Sequence, residues 1–227
     1  MIIGSVVIPV LNEGSNIERV LGQLQPMRRR GWKLIVVDGG SEDDTIKKAE
    51  PLASLVLSSR VGRAIQMNTG ARQAEGEVIV FLHADTVLPL GAESVFSDFV
   101  QQGSQWGRFD VQLSGTKLMF LVIAWFINWR SRITGIATGD QALFFRRHFF
   151  DSLQGYADIP LMEDVEICKR CKSLLDKPYC SELRVKTSSR KWEREGTWKT
   201  IWLMWCLRYA YYRGADPIDL YRKYYSC

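Results

Sequence analysis

Four short apolar runs dominate the first half of the chain: Gly4–Pro9 (GSVVIP), Lys33–Val37 (KLIVV), Leu55–Leu57 and Glu77–Leu82 (EVIVFL). None alternates apolar with polar residues, as a strand with one wet face would. Between them lie helical signals. Asn12–Ser15 offers helix-start chemistry ahead of Ile17, Val20, Leu21 and Leu24, which recur at helical spacing. Thr45–Glu50, Arg63–Ala74 and Gly91–Gln101 read as further helices. Strands that are apolar throughout and separated by helices imply a mostly parallel sheet covered on both faces, an α/β fold. Ligands in such sheets bind beyond the carboxyl ends of the strands. The polar residues Asn12, Glu13, Asp38 and Asp85 fall there.

Past residue 105 the pattern loosens. Trp106–Leu113, Ala142–Phe145 and Tyr179–Val185 read as strands. Lys117–Ile133 is a strongly apolar helix, and Pro160–Asp164 opens another that runs to about Leu175. His148 reads as the start of a surface helix. The longest apolar run, the 12 residues Leu118–Trp129, falls short of the ~20 needed to span a bilayer and fits a buried or interfacial helix. A final helix over Gly196–Arg213 gathers Trp198, Trp202, Trp205, Tyr209 and Tyr212 on one face. That face either packs into the protein or rests on a bilayer.

The charge is unevenly placed. Of the net +5, residues 184–227 hold ten Lys/Arg against four Asp/Glu, and ten of the 26 aromatics. The rest of the chain is close to neutral. This basic, aromatic end is a candidate surface for phosphates or for an anionic membrane. Nucleic acid is not expected, because no stacking platform or groove-reading motif accompanies the charge. The start, MIIGSVVIPVLNE, lacks a basic leader and runs straight into a strand, so a cytoplasmic protein is expected, peripheral on the inner face of the membrane if it binds lipid. Cys168 and Cys171 form a C-x-x-C with Cys180 nearby, but no fourth zinc ligand accompanies them, and ordinary reduced thiols are expected.

The carboxylates carry the chemistry. Asp38 and Asp85 each follow a strand, and Glu163-Asp164 starts a later helix. Oxygen ligands in that arrangement suit Mg²⁺ or Mn²⁺ neutralising a diphosphate. A carboxylate kept off the metal would deprotonate an alcohol. Each motif alone has a plainer reading, a loop for Asp38-Gly39-Gly40-Ser41 and a dipole-matched helix start for Glu163-Asp164. Their order along the chain favours the functional one.

Six segments in order resemble the family 2 glycosyltransferases of the GT-A fold: SVVIPVLNE, VVDGGSEDDT, GRAIQMNTGARQAEGEVIVFLHADT, TGDQALFFRR, PLMEDVEI and SRKWEREG. The match covers about residues 3–195, and is nearest to a small single-domain bacterial branch with a Leu-His-Ala-Asp-Thr turn. The resemblance implies a GT-A domain over 1–195, with a nucleotide-binding part to about residue 90 and an acceptor part beyond it. Residues 196–227 would be a basic aromatic helical extension packed on that domain. It implies an inverting transfer of a sugar from a nucleotide donor, a UDP-sugar most simply, to an acceptor hydroxyl that is hydrophobic or lipid-linked. Pro9 and Glu13 would border base and ribose, Asp38 would accept from the base, and Arg63 would line the nucleotide pocket. Asp85 would bind a divalent cation, Mn²⁺ or Mg²⁺, in a turn where His83 replaces the first carboxylate of the family's Asp-x-Asp. His83 would contact ribose, phosphate or metal, or else be structural. Asp164 would be the general base, with Glu163 orienting it or binding acceptor. Arg190 or Lys191, with Trp192, would lie near the diphosphate, and Asp140 and Gln141 would either face the acceptor or shape their loop. Two other readings compete. A sugar-nucleotide-forming nucleotidyltransferase would place a Gly-rich basic loop where Leu11-Asn12-Glu13 stands. A non-catalytic nucleotide-sugar-binding protein would have no need of Asp38, Asp85 and Asp164 together.

Overall fold

Residues 3–225 are described by the computed structural model. Its centre is a seven-stranded sheet: β1 (Gly4–Val10), β2 (Trp32–Asp38), β3 (Leu55–Ser58), β4 (Val78–Phe81), β5 (Trp106–Leu113), β6 (Phe144–Arg146) and β7 (Tyr179–Thr187). The order across the sheet is β3-β2-β1-β4-β6-β5-β7. β6 pairs antiparallel with both β4 and β5, and the other pairings are parallel. The expected mostly parallel α/β sheet is present.

The absence of alternation in the strands now has its cause. Val6, Ile8 and Val10 of β1 join Leu34 and Val36 of β2 in a core on one face. Val7, Ile35 and Val37 join a second core on the other. With both faces covered, every position is apolar, and each such side chain contributes roughly 1.5–3 kcal/mol by leaving water. Helices α1 (Ile17–Arg29) and α4 (Ala92–Gln101) cover the first face. Helices α3 (Arg63–Arg72), α6 (Arg147–Ser152) and α7 (Glu163–Ser173) cover the second; α2 (Thr45–Ala49) is short. Pro9 sits in the central strand because β4 pairs with β1 only as far as Val7, so its missing N–H costs no ladder bond.

Helix α5 (Leu118–Thr134) is tied to β5 by polar groups. Asn128 accepts from the Val111 N–H at 2.7 Å and donates to the Val111 carbonyl at 3.0 Å. Arg132 pairs with Asp110 at 2.9 Å. Beyond α8 (Arg190–Glu195) come α9 (Thr197–Tyr212) and a helix absent from the sequence reading, α10 (Pro217–Tyr225). Leu203, Leu207 and Leu220 of these last helices pack on Leu161, Met162 and Val165 around the start of α7.

Candidate functional site

Three chain reversals at the carboxyl edge of the sheet build the site. The first follows β1 and β2. Asn12 adopts left-handed backbone (φ 54), accepts from the Glu42 N–H at 2.9 Å, and its own N–H donates to Ser41 Oγ at 2.8 Å. Asp38, almost wholly buried, accepts from Gly40 N–H at 2.9 Å and Ser41 N–H at 3.0 Å. Its carboxylate therefore braces the Gly-Gly-Ser turn, the arrangement an Asx turn uses. Gln66 of α3 donates from one amide nitrogen to the carbonyls of Val10 and Val37 at 2.8 and 2.9 Å, clamping the ends of β1 and β2 together. Nothing in the local pattern of α3 marks this buried glutamine.

The second reversal, His83-Ala84-Asp85-Thr86, follows β4. A single antiparallel bridge joins Val87 to Lys186, and Thr86 Oγ donates to Thr187 Oγ at 2.9 Å. The turn is thus moored to the far end of β7, and Asp85 is held half-buried.

The third comprises a short 3-10 turn, Gly139–Gln141, and the start of α7. Met162 stands in left-handed backbone (φ 70) immediately before Glu163. Such a conformation in a side-chain-bearing residue costs on the order of 1–3 kcal/mol and gathers at functional sites. Gly139 donates its N–H to Asp164 Oδ2 at 2.8 Å. A Cβ on Gly139 would lie 2.6 Å from His83 Nε2, so this glycine lets the imidazole approach the strand of contacts that holds Asp164. His83, Gly139 and Asp164, far apart in the chain, form one constellation.

The electrostatics are divided across that constellation. Burial, then the neighbouring Asp164, pushes Glu163 up to about 7, against a downward pull from Arg63. Burial also raises Asp164, although the Gly139 N–H and the Arg208 guanidinium oppose it. Burial and Arg63 drive His83 down to about 4, so its ring is neutral at physiological pH and free to accept a hydrogen bond or a metal. Arg63, exposed at the start of α3, is nonetheless raised, with Glu163, Tyr225 and Tyr224 outweighing the desolvation that opposes them. Two tyrosines of α10 thus lie within the electrostatic range of Arg63, a neighbourhood the sequence did not disclose.

The cation site was tested on its donor set. Among the described residues, no cluster of three or more His, Cys, Asp or Glu side chains could hold a metal ion. The protein offers Asp85 and the neutral His83. This fits a cation such as Mg²⁺ or Mn²⁺ that takes one or two protein ligands and fills the rest with substrate phosphates and water.

Other expected residues separate from the site. Gln141 is fully buried, with Nε2 donating to Ser131 Oγ at 3.1 Å and Oε1 accepting from the Thr138 N–H at 3.3 Å. It shapes its loop and presents nothing to an acceptor, whereas Asp140 remains half-exposed beside it. Trp192 is half-buried and rests against the apolar cluster of Leu113, Phe120 and Ile123. Arg190 is exposed, 3.8 Å from Glu13 across the mouth of the first reversal. The side chain of Lys191 lies outside the described residues. Pro9 is buried in β1. Cys168 and Cys171 are buried free thiols, raised by burial.

Comparison with known proteins places this geometry. Glycosyltransferase AglE of Haloferax volcanii is 32% identical over 90 residues, 36% of this chain and 30% of that protein. Undecaprenyl-phosphate 4-deoxy-4-formamido-L-arabinose transferase of Proteus mirabilis is 27% identical over 172 residues, 66% of this chain and 50% of the relative. The chain therefore spans half or less of the length of these curated relatives. A crystal structure of glucosyl-3-phosphoglycerate synthase from Mycobacterium tuberculosis, with Mn²⁺, uridine diphosphate and glucosyl-3-phosphoglycerate, superposes with a TM-score of 0.62 at 21% identity. That match covers 81% of this chain and 70% of the other, and shows the shared GT-A fold. The model of glycosyl transferase family 2 matches residues 5–150, well over half the chain, and the chain belongs to that family.

Proposed function

We propose that the protein moves a sugar from a nucleoside-diphosphate donor, a UDP-sugar, to an acceptor hydroxyl with inversion at the anomeric carbon. The observation that carries this reading is Asp164, fixed by the Gly139 N–H at 2.8 Å at the opening of α7. A carboxylate so oriented takes the acceptor's hydroxyl proton as the new C–O bond forms. The bond to the diphosphate breaks on the opposite face, and its electron pair stays on the departing phosphate oxygen. Inversion follows from attack opposite the leaving group. Glu163, only 5% exposed and within the field of Arg63, orients the pair instead of receiving the proton. Asp38 and the turn it braces present the base-binding edge, with Glu13 and Arg63 flanking it. Asp85, with the neutral His83, would hold Mn²⁺ or Mg²⁺ against the donor diphosphate. That cation would act as a Lewis acid, stabilising charge on the leaving group.

Support for the donor and the cation comes from the Mycobacterium tuberculosis structure that contains uridine diphosphate with Mn²⁺. The name of the Proteus mirabilis relative points to a lipid-linked acceptor. The basic C-terminal region suits a protein peripheral to the inner face of a membrane. No helix among the described residues is long and apolar enough to cross one.

The test is release of UDP from a panel of UDP-sugars, with Mn²⁺ or Mg²⁺ and candidate acceptors. Asp164→Asn should keep UDP affinity and lower turnover by ~10²-fold or more, the scale of a lost general base. Transfer at the wild-type rate in that variant would remove Asp164 from the reaction.

A further inference from the structure

Two helices of the described chain turn large apolar faces to solvent. On α5 these are Leu118, Leu121, Val122, Trp125, Phe126 and Trp129, whose spacing places them on one side. On α9 they are Trp198, Trp202, Trp205, Tyr209 and Tyr212. Exposure is high even for indoles: 56% and 51% at Trp125 and Trp129, and 71%, 73% and 70% at Trp198, Trp202 and Trp205. A soluble surface rarely shows so many large apolar side chains together.

The two faces lie near each other. Ile201 of α9 packs on the cluster that holds Phe120 and Ile123 of α5. Further along, burial and then the field of the Arg208 guanidinium depress Arg130. The inner faces of both helices are fixed to the body, α5 by Asn128 on Val111 and α9 by Leu203 and Leu207. The outward faces are therefore rigid, not the wandering ends of loose helices.

Charge selects the occupant. Across 17 residues of α5 and 16 of α9 there is no acidic side chain; Arg132 is paired with Asp110 and Arg208 acts on Asp164, while Lys117, Lys199 and Arg213 stand exposed at the ends of the two helices. A second copy of the same patch would bring cations against cations. Trp and Tyr beside Lys and Arg suit the boundary between headgroups and acyl chains, where the ring is half wet. We propose that the paired outer faces of α5 and α9 form a monotopic docking surface for an anionic lipid bilayer, with both helices lying in the plane of the interface. The surface adjoins the catalytic edge, because Leu203 and Leu207 pack on Leu161 and Met162 immediately before Glu163. The inference does not depend on the glycosyl-transfer reading, and its test uses no sugar donor.

The experiment is co-sedimentation of the full chain with vesicles of phosphatidylcholine alone or mixed with phosphatidylglycerol. Tryptophan emission and quenching by brominated lipid are read in parallel. Binding should need phosphatidylglycerol, fall as salt is added, and shift emission to the blue. Two paired variants, Trp125→Ser with Trp129→Ser and Trp202→Ser with Trp205→Ser, should each weaken partitioning by roughly tenfold or more. All four side chains are exposed, so thermal midpoints should stay at the wild-type value. No binding to anionic vesicles at low salt would overturn the proposal, as would binding unaffected by both pairs. Light scattering that shows a dimer dispersed by the same variants, without vesicle binding, would assign the face to a second copy and equally overturn it.

Discussion

Replacing Gly139 with alanine tests whether the constellation around Asp164 is as tightly built as its distances imply. The new methyl carbon would lie 2.6 Å from both Cε1 and Nε2 of His83, and ordinary contact begins at 3.4 Å. One side must yield by the 0.8 Å between those values. Gly139 is not among the glycines in left-handed backbone, so the methyl meets no penalty from the main chain itself. The conflict falls on the His83 ring or on the 3-10 turn that donates to Asp164. Overpacking of this kind costs about 1–3 kcal/mol. At ~2–4 °C per kcal/mol for a chain of this size, the melting midpoint should fall by several degrees. A displacement near 1 Å at a reacting centre costs up to ~10²-fold in rate, so UDP release should fall with it. The diagnostic measurement is the double-variant cycle with His83→Ala. Removing the imidazole vacates the volume that the methyl needs, so the pair should be more stable than the sum of the single losses. Strictly additive losses, or a Gly139→Ala protein with unchanged midpoint and rate, would refute the close packing of His83 on Gly139.

Two further predictions concern the carboxylates. Asp85→Ala should abolish the Mn²⁺-dependent part of UDP affinity, measured by titration calorimetry with and without chelator; Mn²⁺-dependent affinity at the wild-type level would remove Asp85 from the cation site. Glu163 is held at about 7 in the folded protein against 4.5 ordinarily, so the native state binds the extra proton. Its contribution to stability is complete below about pH 4.5 and is lost as pH rises through about 7. Glu163→Gln should therefore gain stability relative to wild type between about pH 5 and about pH 8, by up to ~3 kcal/mol, read from denaturant unfolding at each pH. A pH-independent difference would contradict the raised value.

The helices and strands of the first half were legible because their signals are local. Period 3.6 and continuous apolar runs survive translation into structure wherever both sheet faces are covered, as at Val6–Val10 and Leu34–Val37. The order of the motifs against those strands then put Asp38 and Asp85 at one edge, because parallel strands all deliver their carboxyl ends to the same side. What could not be read was anything resting on a distant partner. Gln66 clamps two strand ends, and Gly139 matters only because His83 occupies the space its side chain would need. Gln141 was left open between an acceptor contact and its loop, and its buried partner Ser131, like the cluster under Trp192, is set by tertiary packing. α10 was missed because Pro217–Tyr225 is short and carries a single buried anchor, Leu220.

The aromatic stripe of α9 shows where such reading stops in principle. Helical spacing proves that a face is uniform; it does not say what covers it. A core face and a lipid-facing face are equally apolar, since acyl chains and side chains exclude water alike. The distinction lies in the edges. A helix covered by protein on its apolar side usually carries charges of both signs where it meets solvent, and those pair with neighbours. α9 and its companion α5 carry only positive ones, and the stripe itself is left open. Surface ion pairs contribute little to stability, so an edge without acids costs the fold almost nothing. Arg132 and Arg208 already act on Asp110 and Asp164, so the exposed Lys117, Lys199 and Arg213 at the ends of the two helices are what an external anionic partner would meet. Two open faces offer more apolar width than one. For that reason removing tryptophans from either helix alone should loosen the hold on a bilayer, even though the other helix is left intact.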